Sequence, residues 1–166
     1  KAVDEAYHLN KQGLEALNKG RYDEALSSFN AALDILPDYS DAENNRGVAY
    51  FRRGNIAEAQ KIWEELAARD AKYATASYNL GLVHLHERQP EAALRLFERA
   101  LKANRRFVEA LVRCGTVHLE LGHQEKGIGY LRKAYKIAPN HPDAWSFLAY
   151  GLVAAGDTSE ALGILR

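Results

Sequence analysis

The sequence has little that could support catalysis, a metal site or long-range attraction to a charged partner. It contains a single cysteine, Cys114, and no methionine, and its 22 basic residues are balanced by 22 acidic ones. One cysteine cannot close an intrachain disulfide and, without clustered ligands, cannot form a zinc site. A net charge of zero provides no long-range field for nucleic acid or an anionic bilayer, so we expect neither as a partner.

Long apolar runs and targeting signals are also missing. No run approaches the roughly 18 apolar residues that indicate a membrane span, and no signal sequence is visible at the start. We therefore expect a soluble protein without membrane insertion, in either the cytoplasm or the periplasm, because the sequence does not indicate the compartment. Since the chain opens at Lys1 and contains no methionine, we also expect a processed or trimmed segment.

The sequence does contain a repeat of 34 residues. Glycine recurs at this period along one track, alanine along a second, and a bulky apolar residue along a third. The glycine track is Gly13, Gly47, Gly81 and Gly115, continued by Ala149; the alanine track is Ala25, Ala59, Ala93, Gly127 and Ala161; the bulky track is Phe29, Trp63, Phe97, Leu131 and Leu165. The three registers predict units at 6–39, 40–73, 74–107, 108–141 and 142–166, of which the last is incomplete.

Each unit is predicted to be a pair of helices. Apolar residues inside a unit follow helical spacing, and in four units a glycine that can adopt the left-handed conformation separates the two halves. Arg88 takes this place in the third unit, where Pro90 can open the next helix. Stacking of successive pairs buries the faces that one pair leaves open. The sequence therefore predicts an all-α fold, a right-handed superhelical solenoid of antiparallel helix pairs with a concave groove.

The spacing of Gly13, Ala25, Phe29, Ala32 and Pro37 resembles the tetratricopeptide repeat, over almost the whole chain and as a single array, 1–166. The departures are local: His84 and His118 replace the usual aromatic of the first helix, Gly127 replaces alanine and Arg105 replaces proline. The resemblance implies a non-enzymatic scaffold that binds a peptide or a helix of a partner protein in its groove. Two alternatives stay open, a regulatory or targeting segment of a larger enzyme and a scaffold that assembles with copies of itself.

The resemblance also implies which residues line the groove, namely the second, fifth, sixth, ninth and thirteenth positions of each unit. In the first four units these include Tyr7, Asn10, Leu14, Asn44, Asn45, Val48, Arg52, Thr75, Tyr78, Asn79, Leu82, His86, Val112, Arg113 and Thr116, together with the charged residues Lys11, Asp41 and Glu109. Many members of the family grip acidic C-terminal tails with two lysines, two asparagines and an arginine. That clamp is disfavoured here, because its lysine positions hold other residues.

Asn45 and Asn79 are the sharpest functional candidates, since they occupy the same position of successive units. An amide can donate and accept hydrogen bonds at once, which suits the backbone of a bound strand. Asparagine is a poor helix former that needs some reason to be there, although plain solvation of a polar helix face is an equal alternative. We predict that replacing both with alanine weakens partner binding with little loss of stability.

Histidine and cysteine are the remaining candidates for chemistry. A metal site or pH switch at His84 and His118 is disfavoured, because packed helices lie about 8–10 Å apart and these residues replace a packing aromatic. Cys114 stands where other units have leucine, which predicts a small buried side chain. No nucleophile with a neighbouring base and no phosphate-binding loop is visible. We therefore expect no enzyme activity, no cofactor and no bound metal.

The last unit stops inside its second helix, which leaves Leu162, Ile164 and Leu165 without a following unit to cover them. Burial of three such side chains is worth about 5–8 kcal/mol. We expect this uncapped C-terminal end either to be covered by further chain or to form a homo-oligomer.

Overall fold

The computed structural model describes all 166 residues and contains ten α-helices and no strand. The helices are α1 (Ala2–Asn18), α2 (Tyr22–Ile35), α3 (Ser40–Arg53), α4 (Ile56–Arg69), α5 (Ala74–His86), α6 (Pro90–Ala103), α7 (Val108–Glu120), α8 (Gln124–Ile137), α9 (Pro142–Ala155) and α10 (Thr158–Leu165). Every 34-residue unit contributes two consecutive helices. The prediction of an all-α fold built from helix pairs is therefore confirmed.

Packing divides the chain into two compact bodies, an N-terminal body of Lys1–Val83 and a C-terminal body of His84–Arg166. In the N-terminal body α1 packs on α2, α2 on α3 and α3 on α4. In the C-terminal body α6 packs on α7, α7 on α8, α8 on α9 and α9 on α10. Each body is thus built from helices that pack in chain order, while the single array over 1–166 stays a prediction.

Contact with the bulky track explains the glycine track. A Cβ added at Gly13 would lie 2.4 Å from Cε1 of Phe29, and one added at Gly47 would lie 2.6 Å from Nε1 of Trp63. Both rings are buried. Only a residue without a side chain therefore allows the ring of the second helix to lie directly on the backbone of the first.

The fourth pair needs a second glycine, which accounts for one departure from the repeat pattern. A Cβ at Gly127 would lie 2.8 Å from the carbonyl oxygen of Gly115, and a Cβ at Gly115 would lie 3.0 Å from the carbonyl oxygen of Gly127. The backbones of α7 and α8 approach so closely that neither position has room for a methyl group. Glycine in place of alanine is a packing requirement of this pair.

The turn inside each helix pair contains one residue with a positive φ, as the predicted breaks require. In four pairs this residue is glycine: Gly20, Gly54, Gly122 and Gly156. In the third pair it is Arg88, with a φ of 60°. A side chain in the left-handed region costs on the order of 1–2 kcal/mol, because its Cβ approaches the following carbonyl oxygen. Pro90 then opens α6 as predicted.

The last helix pair carries most of the exposed large hydrophobic side chains of the chain. Six of the eight large hydrophobic side chains that are exposed lie in α9 and α10. Leu162 and Leu165 are 55% and 56% exposed, as expected, whereas the expectation that Ile164 is also uncovered is wrong, because Ile164 is half-buried against the core of the C-terminal body. None of the ten helices is long and apolar enough to cross a membrane.

Candidate functional site

The predicted groove residues lie on the first helix of each pair, but their accessibility differs widely. Four are exposed: Tyr7, Arg52, His86 and Arg113. Seven are half-buried: Leu14, Asn45, Val48, Thr75, Tyr78, Leu82 and Thr116. Four are buried: Asn10, Asn44, Asn79 and Val112. The charged positions Lys11, Asp41 and Glu109 are exposed.

The buried asparagines form hydrogen bonds between successive first helices of the N-terminal body. Nδ2 of Asn45 donates to Oδ1 of Asn10 at 3.0 Å, and Nδ2 of Asn79 donates to Oδ1 of Asn44 at 2.7 Å. In both cases the amide at the sixth position of a repeat donates to the asparagine at the fifth position of the preceding repeat. These amide pairs link α1 to α3 and α3 to α5.

Aromatic side chains complete the hydrogen bonding of the amide pairs. Nε1 of Trp63 donates to Oδ1 of Asn44 at 3.0 Å, so this oxygen accepts two hydrogen bonds. Nδ2 of Asn10 donates to the hydroxyl oxygen of Tyr39 at 3.1 Å. The ring of Tyr39 in turn packs edge-on against the ring of Tyr7, with 5.0 Å between the ring centroids.

The expectation that these amides face a bound peptide needs correction. Asn10 is 7% exposed, and Asn44 and Asn79 are each 8% exposed. Their polar atoms are used within the protein, because a buried amide that lacks a partner costs free energy. Asn45 is the one groove asparagine that stays partly accessible, although it also donates to Asn10. Val112 is likewise a core residue of the C-terminal body.

The C-terminal body presents two aromatic residues that the sequence analysis omitted. Phe147 and Tyr150 occupy the sixth and ninth positions of the fifth unit, and they are 39% and 68% exposed. Together with Thr116, Leu119 and Glu120 they line a cavity of about 290 Å³ between α7 and α9. The sequence could have indicated both aromatic residues, because the same groove positions that include Thr116 in the fourth unit include them in the fifth unit.

Apolar residues replace the amide pair in this body. The fifth position of α7 is the buried Val112, and the sixth position of α9 is Phe147. The hydroxyl of Thr116 donates to the backbone carbonyl of Arg113 at 3.2 Å, and Glu120 is exposed at the end of α7. The cavity therefore has an apolar lining with a carboxylate beside it, which suits an apolar side chain of a partner.

The histidines of the first helices contact the start of the second helices. The buried ring of His118 stacks on the ring of Tyr130, with 5.6 Å between centroids, and its Nδ1 lies 3.1 Å from Nδ1 of His123. Nδ1 of His84 lies 2.7 Å from Oε1 of Gln89, the equivalent position. Burial, reinforced by the charge on His123, lowers the pKa of His118. His118 thus packs as the sequence predicts.

Cys114 is fully buried in α7, in agreement with its predicted role as a small apolar residue. Burial raises the pKa of its thiol to about 12, and the negative charge of Glu98 adds to the effect. The thiol is therefore protonated at neutral pH and is a poor nucleophile. No group of three or more histidine, cysteine, aspartate or glutamate side chains could hold a metal ion.

The comparisons with known proteins agree with the repeat pattern. The sequence profile of the tetratricopeptide repeat matches residues 10–59, 44–105 and 87–142. Cellulose synthase 1 operon protein C of Komagataeibacter xylinus is 35% identical over 69 residues, which are 42% of this chain. The match spans only 5% of that protein's length.

Solved structures show the same fold at low sequence identity. The pilF protein of Pseudomonas aeruginosa superposes with a TM-score of 0.86 at 21% identity, over 99% of this chain and 75% of that chain. YrrB, described as a tetratricopeptide repeat protein with an unusual peptide-binding site, superposes with a TM-score of 0.67 at 21% identity, over 99% and 89%. The profile matches cover most of the chain and show that it belongs to the tetratricopeptide repeat family.

Proposed function

We propose that the chain is a non-enzymatic protein-interaction module that binds a peptide or helix of a partner on the surface formed by α7 and α9. The observation that supports this proposal is the exposure of Phe147 and Tyr150 beside the cavity of about 290 Å³. Aromatic rings on rigid helices lose little conformational entropy when they bind, and they bury a large apolar area. Such residues commonly contribute most of the affinity of an interface.

The cavity has the dimensions of a pocket for one apolar side chain of the partner. Leu119 and the two rings provide its apolar lining, and the carboxylate of Glu120 can attract a basic residue next to that side chain. Family membership supports a binding role, and the peptide-binding site named for YrrB supports a peptide as the class of partner.

A second candidate function is a segment that regulates or targets a larger protein. The short match within cellulose synthase 1 operon protein C favours it, because the matched segment is only 5% of a much longer chain there. This role is compatible with peptide binding, since a regulatory segment also needs a surface for its partner.

The proposal can be tested by selecting peptides from a random phage-displayed library against the immobilised chain. The enriched peptides are then measured by fluorescence anisotropy against the wild type and the Phe147→Ala/Tyr150→Ala variant. We expect the dissociation constant to rise at least tenfold, as is typical when two aromatic anchors are truncated. Because both side chains are exposed, the fold should survive, which circular dichroism can check.

Val153→Ala is the matched control, since Val153 is an exposed apolar residue of the same helix that does not line the cavity. It should leave the affinity unchanged. Absence of any enriched peptide, or equal affinity of wild type and double variant, would refute binding at this surface.

A further inference from the structure

A larger hollow lies between α6, α7 and α8 and shares no lining residue with the cavity beside Phe147. It has a volume of about 670 Å³, and Leu101, Leu111 and Tyr130 supply its apolar surface. A second cavity of about 310 Å³ adjoins it, because Glu98, Tyr130 and Lys133 line both. The two cavities together are called the α6–α8 hollow below.

The α6–α8 hollow is strongly basic in a chain whose net charge is zero. Lys102, Arg105, Lys126 and Lys133 line it, and none of these four forms a salt bridge within the protein. The one carboxylate of the lining, Glu98, accepts a long hydrogen bond of 3.5 Å from the hydroxyl of Tyr130. Four cations against one anion leave a local positive field next to an apolar surface.

Lys133 is held where a bound anion could reach it. Its Nζ lies over the ring of Tyr130, 5.6 Å from the centroid, at the boundary that the two cavities share. The ammonium group of lysine has three N–H donors, so contact with one ring leaves others for a bound anion. The apolar surface and the positive charge therefore meet at one place.

Glycine keeps part of the α6–α8 hollow open. Gly129 lines the smaller cavity, at a position where the second and third repeats have Lys61 and Arg95. A Cβ at Gly129 would meet no atom within 4 Å, so packing does not require glycine there. Glycine inside a helix costs about 0.5–1 kcal/mol relative to alanine. An access route for a ligand is a reason to accept this cost.

We propose that the α6–α8 hollow binds an acidic peptide segment that carries apolar residues, on a second surface separate from that of α7 and α9. The apolar side chains would lie on Leu101, Leu111 and Tyr130, and the carboxylates would pair with Lys102 and Lys133. A peptide fits better than a compact anion, because the cations come from α6, from the turn after it and from α8. Charges spread over three elements match charges spread along an extended chain.

Two synthetic fluorescein-labelled peptides test the proposal, GDELFDEG and GNQLFNQG, which differ only in having amides for carboxylates. Binding to the full chain is measured by fluorescence anisotropy at low ionic strength. We expect the acidic peptide to bind at least tenfold more tightly than its amide counterpart, because a hydrogen bond from lysine to a carboxylate is stronger than one to a neutral amide. The difference should shrink as salt is added.

Three variants assign the binding to this surface. Lys102→Gln/Lys133→Gln should weaken binding of the acidic peptide, and Gly129→Gln should weaken it by filling the smaller cavity. Glu98→Gln should tighten it, because the repelling carboxylate is removed while the acceptor for Tyr130 is kept. Since glutamine is a better helix former than glycine, Gly129→Gln should not lower the melting temperature.

Phe147→Ala/Tyr150→Ala is the control that separates this proposal from the proposed function, and it should leave the affinity for GDELFDEG unchanged. The proposal is overturned if the acidic peptide does not bind, if both peptides bind equally, or if only the aromatic variant weakens binding. Equal affinity of the wild type and Phe147→Ala/Tyr150→Ala for the phage-selected peptides would contradict the proposed function and leave these measurements unaffected.

Discussion

Replacement of Asn44 by alanine tests whether the buried amides hold the first helices together. Oδ1 of Asn44 accepts from Nε1 of Trp63 at 3.0 Å and from Nδ2 of Asn79 at 2.7 Å, and all three residues are buried. Alanine leaves both donors without a partner and out of reach of water. Each orphaned donor costs about 1–3 kcal/mol. Alanine recovers roughly 0.5 kcal/mol through its higher helix propensity. The free energy of unfolding should therefore fall by about 2–5 kcal/mol.

Urea unfolding followed by circular dichroism measures this loss as a lower midpoint. Asn45→Ala is the matched control on the same helix, because it removes a single hydrogen bond, to Asn10, at a partly exposed site. It should cost about 1–2 kcal/mol, less than Asn44→Ala, because it leaves one buried acceptor, Oδ1 of Asn10, without a partner instead of two buried donors. The sequence alone predicted little loss of stability for alanine at Asn45 and Asn79, and the structure adds that the change at Asn79 would remove a buried hydrogen bond to Asn44.

A double-mutant cycle isolates the bond between the two buried amides. After Asn44→Ala, the further change Asn79→Ala removes a donor that is already orphaned. The combined loss should therefore be smaller than the sum of the single losses by about 1 kcal/mol. A loss for Asn44→Ala no larger than that for Asn45→Ala would refute the structural role of these amides and restore Asn44 and Asn79 as candidates for partner binding.

Three further substitutions test other features of the fold. Gly47→Ala should lower the free energy of unfolding in urea by about 1–3 kcal/mol, because the added methyl group would collide with the buried indole ring of Trp63. Gly163→Ala is the control and should not destabilise the protein, because a methyl group there meets no atom within 4 Å. Arg88→Gly should raise the unfolding free energy by up to about 1 kcal/mol, because glycine relieves the strain of a positive φ; an unchanged midpoint would argue against such strain. Because the pKa of His118 is lowered in the folded state, stability should be highest above about pH 6.5 and decrease as the pH falls below it. His123→Gln should reduce this acid sensitivity, measured as the drop in melting temperature from a pH above 6.5 to a pH below it. An equal drop in the wild type and the variant would exclude the contact between His118 and His123 as its cause.

The fold could be predicted because its determinants recur at one fixed spacing. Gly13 and Gly47 have no side chain because Phe29 and Trp63 lie on their backbones, so the same requirement recurs 34 residues apart. The departure at Gly127 could be noticed but not explained, because it depends on how closely α7 and α8 approach. Backbone distance between two helices leaves no separate mark in the residue pattern.

The candidate site was less predictable, for two physical reasons. Their positions in the repeat show that Asn44 and Asn79 lie on the same helix face. They do not show that the two amides form a hydrogen bond between neighbouring first helices. The α6–α8 hollow is lined partly by second helices and by Gly129, which has no side chain. The predicted groove positions all lie on first helices, so they could not indicate it. Phe147 was within reach of the rule and was missed because the incomplete last unit was not counted.

The amide pairs also limit where this chain could have gained or lost a repeat. The second repeat alone has asparagine at both the fifth and the sixth position, Asn44 and Asn45. A tandem duplication of residues 40–73 would give every new amide a partner, since the copy could donate to Asn44 and accept from Asn79. A duplication of residues 74–107 would instead set a second Asn79 against Tyr78, without the amide oxygen it requires. Growth by duplication should therefore be tolerated at the second repeat and disfavoured at the third.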